Sequence, residues 1–433
     1  MDIRYSAFQI LYKIIDDGAY SNITLNNVIM RHNFTSSERR FLTNLVYGTL
    51  ENKISSDYII DKYYTHGIKK LPKRMKLILE MAIYQIRFMN SVPDYAVTYE
   101  SVNLAKKIQK NGRGYVVVNA VLRAFLSDEN RLSLDFKTVF EQKSFEFSIP
   151  VFMVKAIITQ YGEKDAELLF ESFLKKPEFY IRINRRLTNR EEMMKKIISA
   201  GYEVFEVEEP YILKLSNIEN IIYTKFYKDG FFSIQDINSY RCATFLGAGE
   251  EDLILDACAG LGGKSLSIAE ITGKPSNIYC SDLHYKKSNQ LFLNAERLKL
   301  TGIKYFNRDG TEYYEPWRDK FDKVLLDVPC SGWGVIRHKP EIRFQDSADI
   351  QSIIRLQEKL ISNVSKYVKP GGKLLYTTCT FNKEENEEQI AKFLLKNPNF
   401  IIDESCGMRT MLPSENEGDG FFAVGLKKHK ECV

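Results

Sequence analysis

The chain has 433 residues, 44% hydrophobic and 27% charged, which places it among ordinary soluble globular proteins and allows two or three domains rather than one. No segment approaches the roughly 18 uninterrupted apolar residues of a membrane span. Met1 is followed by Asp2 and Arg4 rather than by a basic stretch and an apolar run, so a cytoplasmic location without a membrane partner is expected. Seven scattered cysteines, with no CxxC and no Cys/His cluster of zinc spacing, exclude a disulfide framework and a zinc site and leave thiols whose chemistry is that of the thiolate.

The net charge of +5 is unevenly spread: residues 1–130 hold 18 Lys/Arg against 12 Asp/Glu, and the remainder 43 against 44. Clustered cations suit a polyanionic partner because they release counterions on meeting phosphates, although charge alone points first to a solvated helical surface. The same residues read as helices. Ala7, Ile10, Leu11 and Ile14 fall on one apolar face, and Thr35 with Glu38 forms a capping-box pattern before Phe41, Leu42, Leu45 and Val46. Pro72 suits the start of a helix carrying Leu77, Ile78, Met81 and Ala82. Lys69, Lys70, Lys73, Arg74 and Lys76 gather at that start, where positive charge opposes the helix dipole; an RNA contact and an inert surface explain them equally.

Residues 136–235 change character, with a helical segment near 151–161 and β-rich runs at 179–183 and 211–215, and predict a small α+β module. No low-complexity linker or fixed-period repeat separates it from its neighbours. Residues 236–433 alternate strand and helix signals in the manner of an open parallel sheet covered on both faces. A strand at 253–256 leads into the turn Cys258, Ala259, Gly260, Leu261, Gly262, Gly263 and Lys264, with a helix from near Ser265. Such a turn lets backbone approach a ligand at the helix amino end, but its spacing is neither GxGxxG nor GxxxxGK[ST], so a phosphate cradle is disfavoured.

Further strands are predicted to end in acids: Asp282, 26 residues after Asp256, then Asp309 and Asp327. One such aspartate is usually a turn or cap residue; four in register describe a pocket for an adenosine-bearing cofactor held through hydroxyls and an amine. Asp327 opens Asp-Val-Pro-Cys-Ser-Gly332, and the run 374–380 ends a strand at Cys379 before a helical, acidic stretch at 383–394. Both Cys330 and Cys379 are thereby expected on the carboxyl rim of the sheet, whereas Cys242, Cys258 and Cys280 read as small buried hydrophobes.

The paired Pro-Cys and Thr-Cys motifs make the catalytic half resemble the RNA cytosine-5 methyltransferases of the Sun type. Arg4, Ala7, Ile10, Leu11 and Tyr20-Ser-Asn22 make the N-terminal bundle similar to the NusB fold, which narrows the resemblance to the branch acting on 16S ribosomal RNA. Further marks are Arg182-Ile-Asn184, Gln235-Asp236, Gly334-Val-Ile-Arg337, Pro340-Glu341, Glu384–Gln389 and Gly418–Phe422. The resemblance implies an α/β architecture: a doubly wound Rossmann-like methyltransferase domain over 236–433, preceded by an all-α NusB-like bundle over 1–135 and a small α+β module over 136–235. It implies S-adenosylmethionine as cofactor, held by Cys258–Lys264 with Asp282, Asp309 and Asp327, Cys379 as nucleophile, and Cys330 and Asp327 as its catalytic partners. It also implies a loop cytosine of ribosomal RNA as substrate, no obligatory protein partner, no metal, and a monomer. Gly260-Leu261 stands where Ala-Pro is usual, and Trp333 where a small residue is usual, which is expected to loosen the turn and narrow the base pocket.

Carbon 5 of cytosine is too poor a nucleophile to attack a methyl sulfonium unaided, so a thiolate must first add at carbon 6; a second group must then accept the carbon 5 proton before release. Two thiols and an acid meet that requirement. A transfer-RNA or other ribosomal cytosine is the alternative substrate. An inactive RNA-binding or antitermination factor on the same scaffold is the alternative class, against which stands the joint presence of Cys330, Cys379, Lys264 and the acids.

Overall fold

The computed structural model describes residues 2–109, 112–216, 218, 220–415 and 417–430. The chain forms two units, one of residues 1–174 with 336–347, the other of 175–335 with 348–433. Among the described residues no helix is long and apolar enough to cross a membrane.

The first unit is helical: α1 (Ile3–Asp17), α2 (Ser21–Arg31), α3 (Ser36–Glu51), α4 (Lys53–Tyr63), α5 (Lys73–Phe88), α6 (Asp94–Ile108), α7 (Gly114–Ser127), α8 (Val139–Phe147) and α9 (Val151–Ser172). Ala7, Ile10, Leu11 and Ile14 all enter one core with Leu42, Leu45, Val46, Ile78 and Ala82, as the helical spacing predicts. Thr35 and Glu38 close the expected capping box on α3, which satisfies two otherwise orphaned amides. Of the basic cluster near α5, Lys73 pairs with Asp16, and Lys76 lies 2.8 Å from Asp57 in a network with Lys53 and Glu80. Lys76 is therefore spent internally. The segment 336–347 carries Glu341, whose carboxylate caps α2 by accepting from Ser21 N (3.3 Å) and Ser21 Oγ (2.8 Å), while Phe344 packs against the bundle core.

The second unit begins with β1 (Phe179–Ile183), α10 (Arg190–Ser199), β2 (Val204–Glu206), β3 (Ile212–Leu215), α11 (Lys225–Lys228) and β4 (Phe232–Ile234), whose strands form an antiparallel sheet in the order β2-β3-β1-β4. There follow α12 (Ile237–Phe245), β5 (Ile254–Asp256), α13 (Gly263–Thr272), β6 (Ile278–Asp282), α14 (Tyr285–Arg297), β7 (Lys304–Asn307), β8 (Phe321–Asp327), α15 (Ser347–Val364), β9 (Val368–Thr378), α16 (Glu387–Lys396), β10 (Phe400–Ile402), β11 (Met408–Met411) and β12 (Phe421–Lys428). The second sheet runs β10-β12-β9-β8-β5-β6-β7, with β11 on β12. Its body from β9 to β7 is parallel, but β10, β11 and β12 pair antiparallel, so the sheet is mixed rather than wholly parallel. Apolar clusters line both faces, one around Leu326, Tyr376 and Phe422, the other around Leu266, Leu291 and Leu325.

The small antiparallel sheet is tied to α13 through a fully buried arginine. Arg182 on β1 donates in bidentate fashion to Glu270 (2.9 and 2.8 Å) and also reaches the carbonyl of Gly263 at 3.1 Å, at the start of α13. Asn184 bonds the carbonyls of Gly230 and Leu298, and Asp236 caps α12 through the amides of Asn238 and Ser239. The Arg182–Asn184 and Gln235–Asp236 motifs thus hold the scaffold on which the glycine turn sits.

Candidate active site

The carboxyl ends of β5, β6 and β8 converge on the turn before α13. Asp256, 1% exposed, accepts from Ser265 Oγ, and burial pushes its carboxyl up to about 7. Asp282 Oδ2 accepts from Gly260 N (3.0 Å) and Oδ1 from His284 N (2.9 Å), which ties the turn to the end of β6. Gly262 has φ +88°, and a Cβ there would lie 2.5 Å from Leu291 Cγ, so only glycine fits. Around Gly260 there is open space, and Leu261 is 57% exposed: the turn presents bare backbone outward. Asp309 lies two residues beyond β7, where Thr311 N (2.8 Å) and Oγ1 (2.7 Å) both donate to Oδ1 and hold the carboxyl below its usual range. No hydrogen bond to its Oδ2 occurs among the described residues.

Asp327, the last residue of β8, accepts from Lys264 Nζ (2.7 Å) at Oδ2 and from Thr377 Oγ1 (2.8 Å) at Oδ1. Burial by itself would depress the Lys264 ammonium, but the Asp327 charge outweighs it, and the lysine pKa rises. The Cys379 thiol, close enough for its anion to contribute to that rise, lies one residue past β9. Cys330 and Cys379 face each other with their sulfurs 3.2 Å apart, and Cys379 N also donates to Cys330 Sγ (3.3 Å). Both are free thiols. Hydrogen bonding to Cys379, with burial behind it, pushes the Cys330 thiol well up, so Cys330 keeps its proton and can donate it to the sulfur opposite.

The two thiol loops are pinned by Glu385, which is completely buried. Its Oε2 accepts from Ser331 N (2.8 Å) and Gln357 Nε2 (3.0 Å), its Oε1 from Asn382 Nδ2 (3.0 Å), and burial raises its pKa. Gln357 also holds the carbonyl of Pro329 (2.9 Å), and Asn386 bridges Thr378 Oγ1 and the carbonyl of Thr380. On the other side Gly334 N bonds the Cys379 carbonyl (3.1 Å) and Gly420 N the Gly334 carbonyl (2.9 Å); a Cβ on Gly334 would strike Gly420.

The family described as 16S rRNA methyltransferase RsmB/F matches residues 243–427, the NusB family residues 1–127, and an RsmF/B-like ferredoxin-like domain residues 149–221. A "probable ribosomal RNA small subunit methyltransferase B" of Bacillus subtilis is 32% identical over 98% of both chains. The chain belongs to the ribosomal RNA small subunit methyltransferase B family. A second member, from Proteus mirabilis, is 29% identical over 99% of both chains. The crystal structure of PH0851 shares the fold over 98% of this chain and 99% of its own, with a TM-score of 0.84 at 24% identity. That of NSun6 from Pyrococcus horikoshii with SFG shares it over 65% of this chain and 99% of its own, with a TM-score of 0.59 at 19% identity.

The structure gathers the family's sequence-predicted residues Cys258–Lys264, Asp282, Asp327, Cys330 and Cys379 at one end of the sheet; Asp309 follows β7 instead of ending it. Cys242 and Cys280 are buried, which pushes up their thiols and agrees with their reading as small buried hydrophobes, whereas Cys258 is only half-buried. Two expectations change. Trp333 is 1% exposed with its ring against Phe381, so it fills the interior and presents almost no surface with which to narrow a base pocket. The helix expected at 383–394 starts only at Glu387, because the side chains and backbone of residues 382–386 are used to brace the thiol loops. The bracing roles of Glu385 and Asn386 escaped the sequence reading; the signal was there in two buried-type polar residues following a Thr-Cys strand end, but an acidic run reads as a solvated helix.

Proposed function

We propose that this chain methylates carbon 5 of an unpaired cytosine in 16S ribosomal RNA through a covalent bond between Cys379 and carbon 6. The observation that carries this reading is the pair of thiols 3.2 Å apart beside the Lys264–Asp327 ion pair. The methyl donor is S-adenosylmethionine, which supplies an electrophilic methyl on its sulfonium. The residues present fit it: Asp282 would take the ribose hydroxyls, Asp309 Oδ2 the adenine amine, and the bare turn Cys258–Lys264 would lie along the amino-acid part. No cationic cradle is needed, since the cofactor carries no phosphate.

In the proposed reaction the Cys379 thiolate, stabilised by the nearby Lys264 charge and by the Cys330 S–H, adds to carbon 6 of the base. The electron pair of the 5,6 double bond moves toward carbon 5 as ring N3 takes up a proton from water, and Asp327, ion-paired with Lys264, would accept hydrogen bonds from N3–H and the amino group. Carbon 5 then takes the methyl. A water held beside the Cys330 S–H accepts the proton from carbon 5, the 5,6 double bond re-forms, N3 gives its proton back to water, and the Cys379 sulfur leaves with its electron pair. Because the thiol must reach the face of the base, the target must be unstacked, which favours a loop. Residues 1–135 and 136–235 would grasp the flanking RNA while 236–433 carries the chemistry.

Mapping 5-methylcytosine in 16S ribosomal RNA from cells with and without the gene tests the reading. Loss of one site, restored by the wild-type chain and not by Cys379→Ala, is expected. An unchanged map, or restoration by Cys379→Ala, refutes it.

A further inference from the structure

A cavity of about 450 Å³ in the helical unit is lined by α1, α2, α5 and α6. That volume is within the range of small-molecule pockets and holds one nucleotide with room to spare. On α1, Tyr5, Phe8 and Tyr12 recur at helical spacing along the cavity wall, and the rings of Phe8 and Tyr12 stack at 5.9 Å. A cation brackets each end. Lys107 Nζ sits 4.0 Å from the Tyr5 ring centroid and Arg74 Cζ 5.6 Å from that of Tyr12. Lys13 adds a third positive charge to the rim.

These cations are available. Arg74 and Lys13 form no ion pair among the described residues, and Lys107 has only a half-exposed contact with Asp2 at 3.4 Å. Of the basic cluster at the start of α5, internal pairing takes Lys73 and Lys76 and leaves Arg74, with Lys69 and Lys70, without an ion pair among the described residues. Among the described residues Asp17 is the one carboxylate on the cavity wall, against three cations. An aromatic row closed at both ends by guanidinium and ammonium groups matches the chemistry of a single-stranded nucleic acid, whose bases stack while its phosphates seek charge.

We propose that this cavity is an RNA-binding site that takes an unpaired nucleotide of the substrate RNA, its base against Tyr5 and Tyr12 and its phosphates at Arg74, Lys107 and Lys13. The inference rests on the ribosomal RNA reading above and adds a second grip remote in sequence from the thiols. It would hold a segment flanking the target and so contribute to the choice of RNA.

The test is binding of the full chain to a 16S ribosomal RNA transcript across a salt series. Arg74→Gln and Lys107→Gln are expected to weaken binding and each to flatten the log–log salt dependence by about 0.7 to 0.9. Tyr5→Leu with Tyr12→Leu is expected to weaken binding by about tenfold or more with the salt slope unchanged, since stacking releases no counterions. Arg74→Lys and Tyr12→Phe, which keep charge and ring, should bind nearly as the wild type, and S-adenosylmethionine affinity should hold in every variant as a check on folding. Wild-type RNA affinity in the Gln and Leu variants, with the wild-type chain binding and methylating the same transcript, overturns the pocket alone and leaves a protein partner as its occupant. A wild-type chain that neither binds nor methylates the transcript overturns the ribosomal RNA reading and this site with it.

Discussion

Replacing Cys330 by Ala separates bond formation from release. The substitution removes one half-buried sulfur, and the loop that bears it stays pinned through Ser331 N to Glu385 (2.8 Å) and through the Pro329 carbonyl to Gln357 (2.9 Å). The stability cost is therefore on the order of 1 kcal/mol, that of deleting a small apolar group. Cys379 keeps its position, because Gly334 still bonds its carbonyl, and it retains Lys264 nearby. Attack and methylation should continue, but the carbon 5 proton loses the water that Cys330 holds as its acceptor, worth about 10²- to 10⁴-fold in rate for a positioned base. Turnover should fall by that factor and the methylated adduct should accumulate. Denaturing gels of the variant mixed with RNA and S-adenosylmethionine should show a retarded protein–RNA band, absent from Cys379→Ala and from the double variant. A band that appears with Cys379→Ala and vanishes only when Cys330 is also removed would reverse the two roles. Unchanged turnover in both single variants would refute the covalent mechanism.

Other outcomes follow from the same geometry. Asp282→Ala and Asp309→Ala should each weaken S-adenosylmethionine binding by about 1–3 kcal/mol, read by calorimetry; wild-type affinity in both would place the pocket elsewhere. Glu385→Ala leaves three buried donors without their acceptor and should lower stability by about 2–5 kcal/mol, with Glu385→Gln recovering part of it; equal melting temperatures for Ala and wild type would deny the brace. Asp256 has a folded-state pKa near 7, above its unfolded value, so the folded state binds its proton more tightly and stability declines as pH rises from about 4 to 7. Asp256→Asn should flatten that decline in denaturant titrations across the window, and an unaltered pH slope would count against it.

Much of this protein was legible before any folding was considered, because the information was local. Helical spacing placed Ala7, Ile10, Leu11 and Ile14 on one buried face, the Thr35–Glu38 cap needed only four residues, and the two cysteine motifs lie at strand ends marked by β-rich runs and a following turn. Family membership was likewise carried by short motifs. What the tertiary structure alone decided are relations between residues far apart in the chain. The 3.2 Å approach of Cys330 and Cys379 depends on β8 and β9 lying side by side, the antiparallel return of β12 depends on which edge was open to it, and Glu385 became a brace only because Ser331 and Gln357 arrived beside it. Glu341, predicted only as a family mark, caps α2 from a distance of 320 residues. Periodicity and turn chemistry report the conformation of neighbours; they hold no term for which buried donor will need which acceptor, and that is settled only when desolvation forces every polar group in the closed core to find a partner.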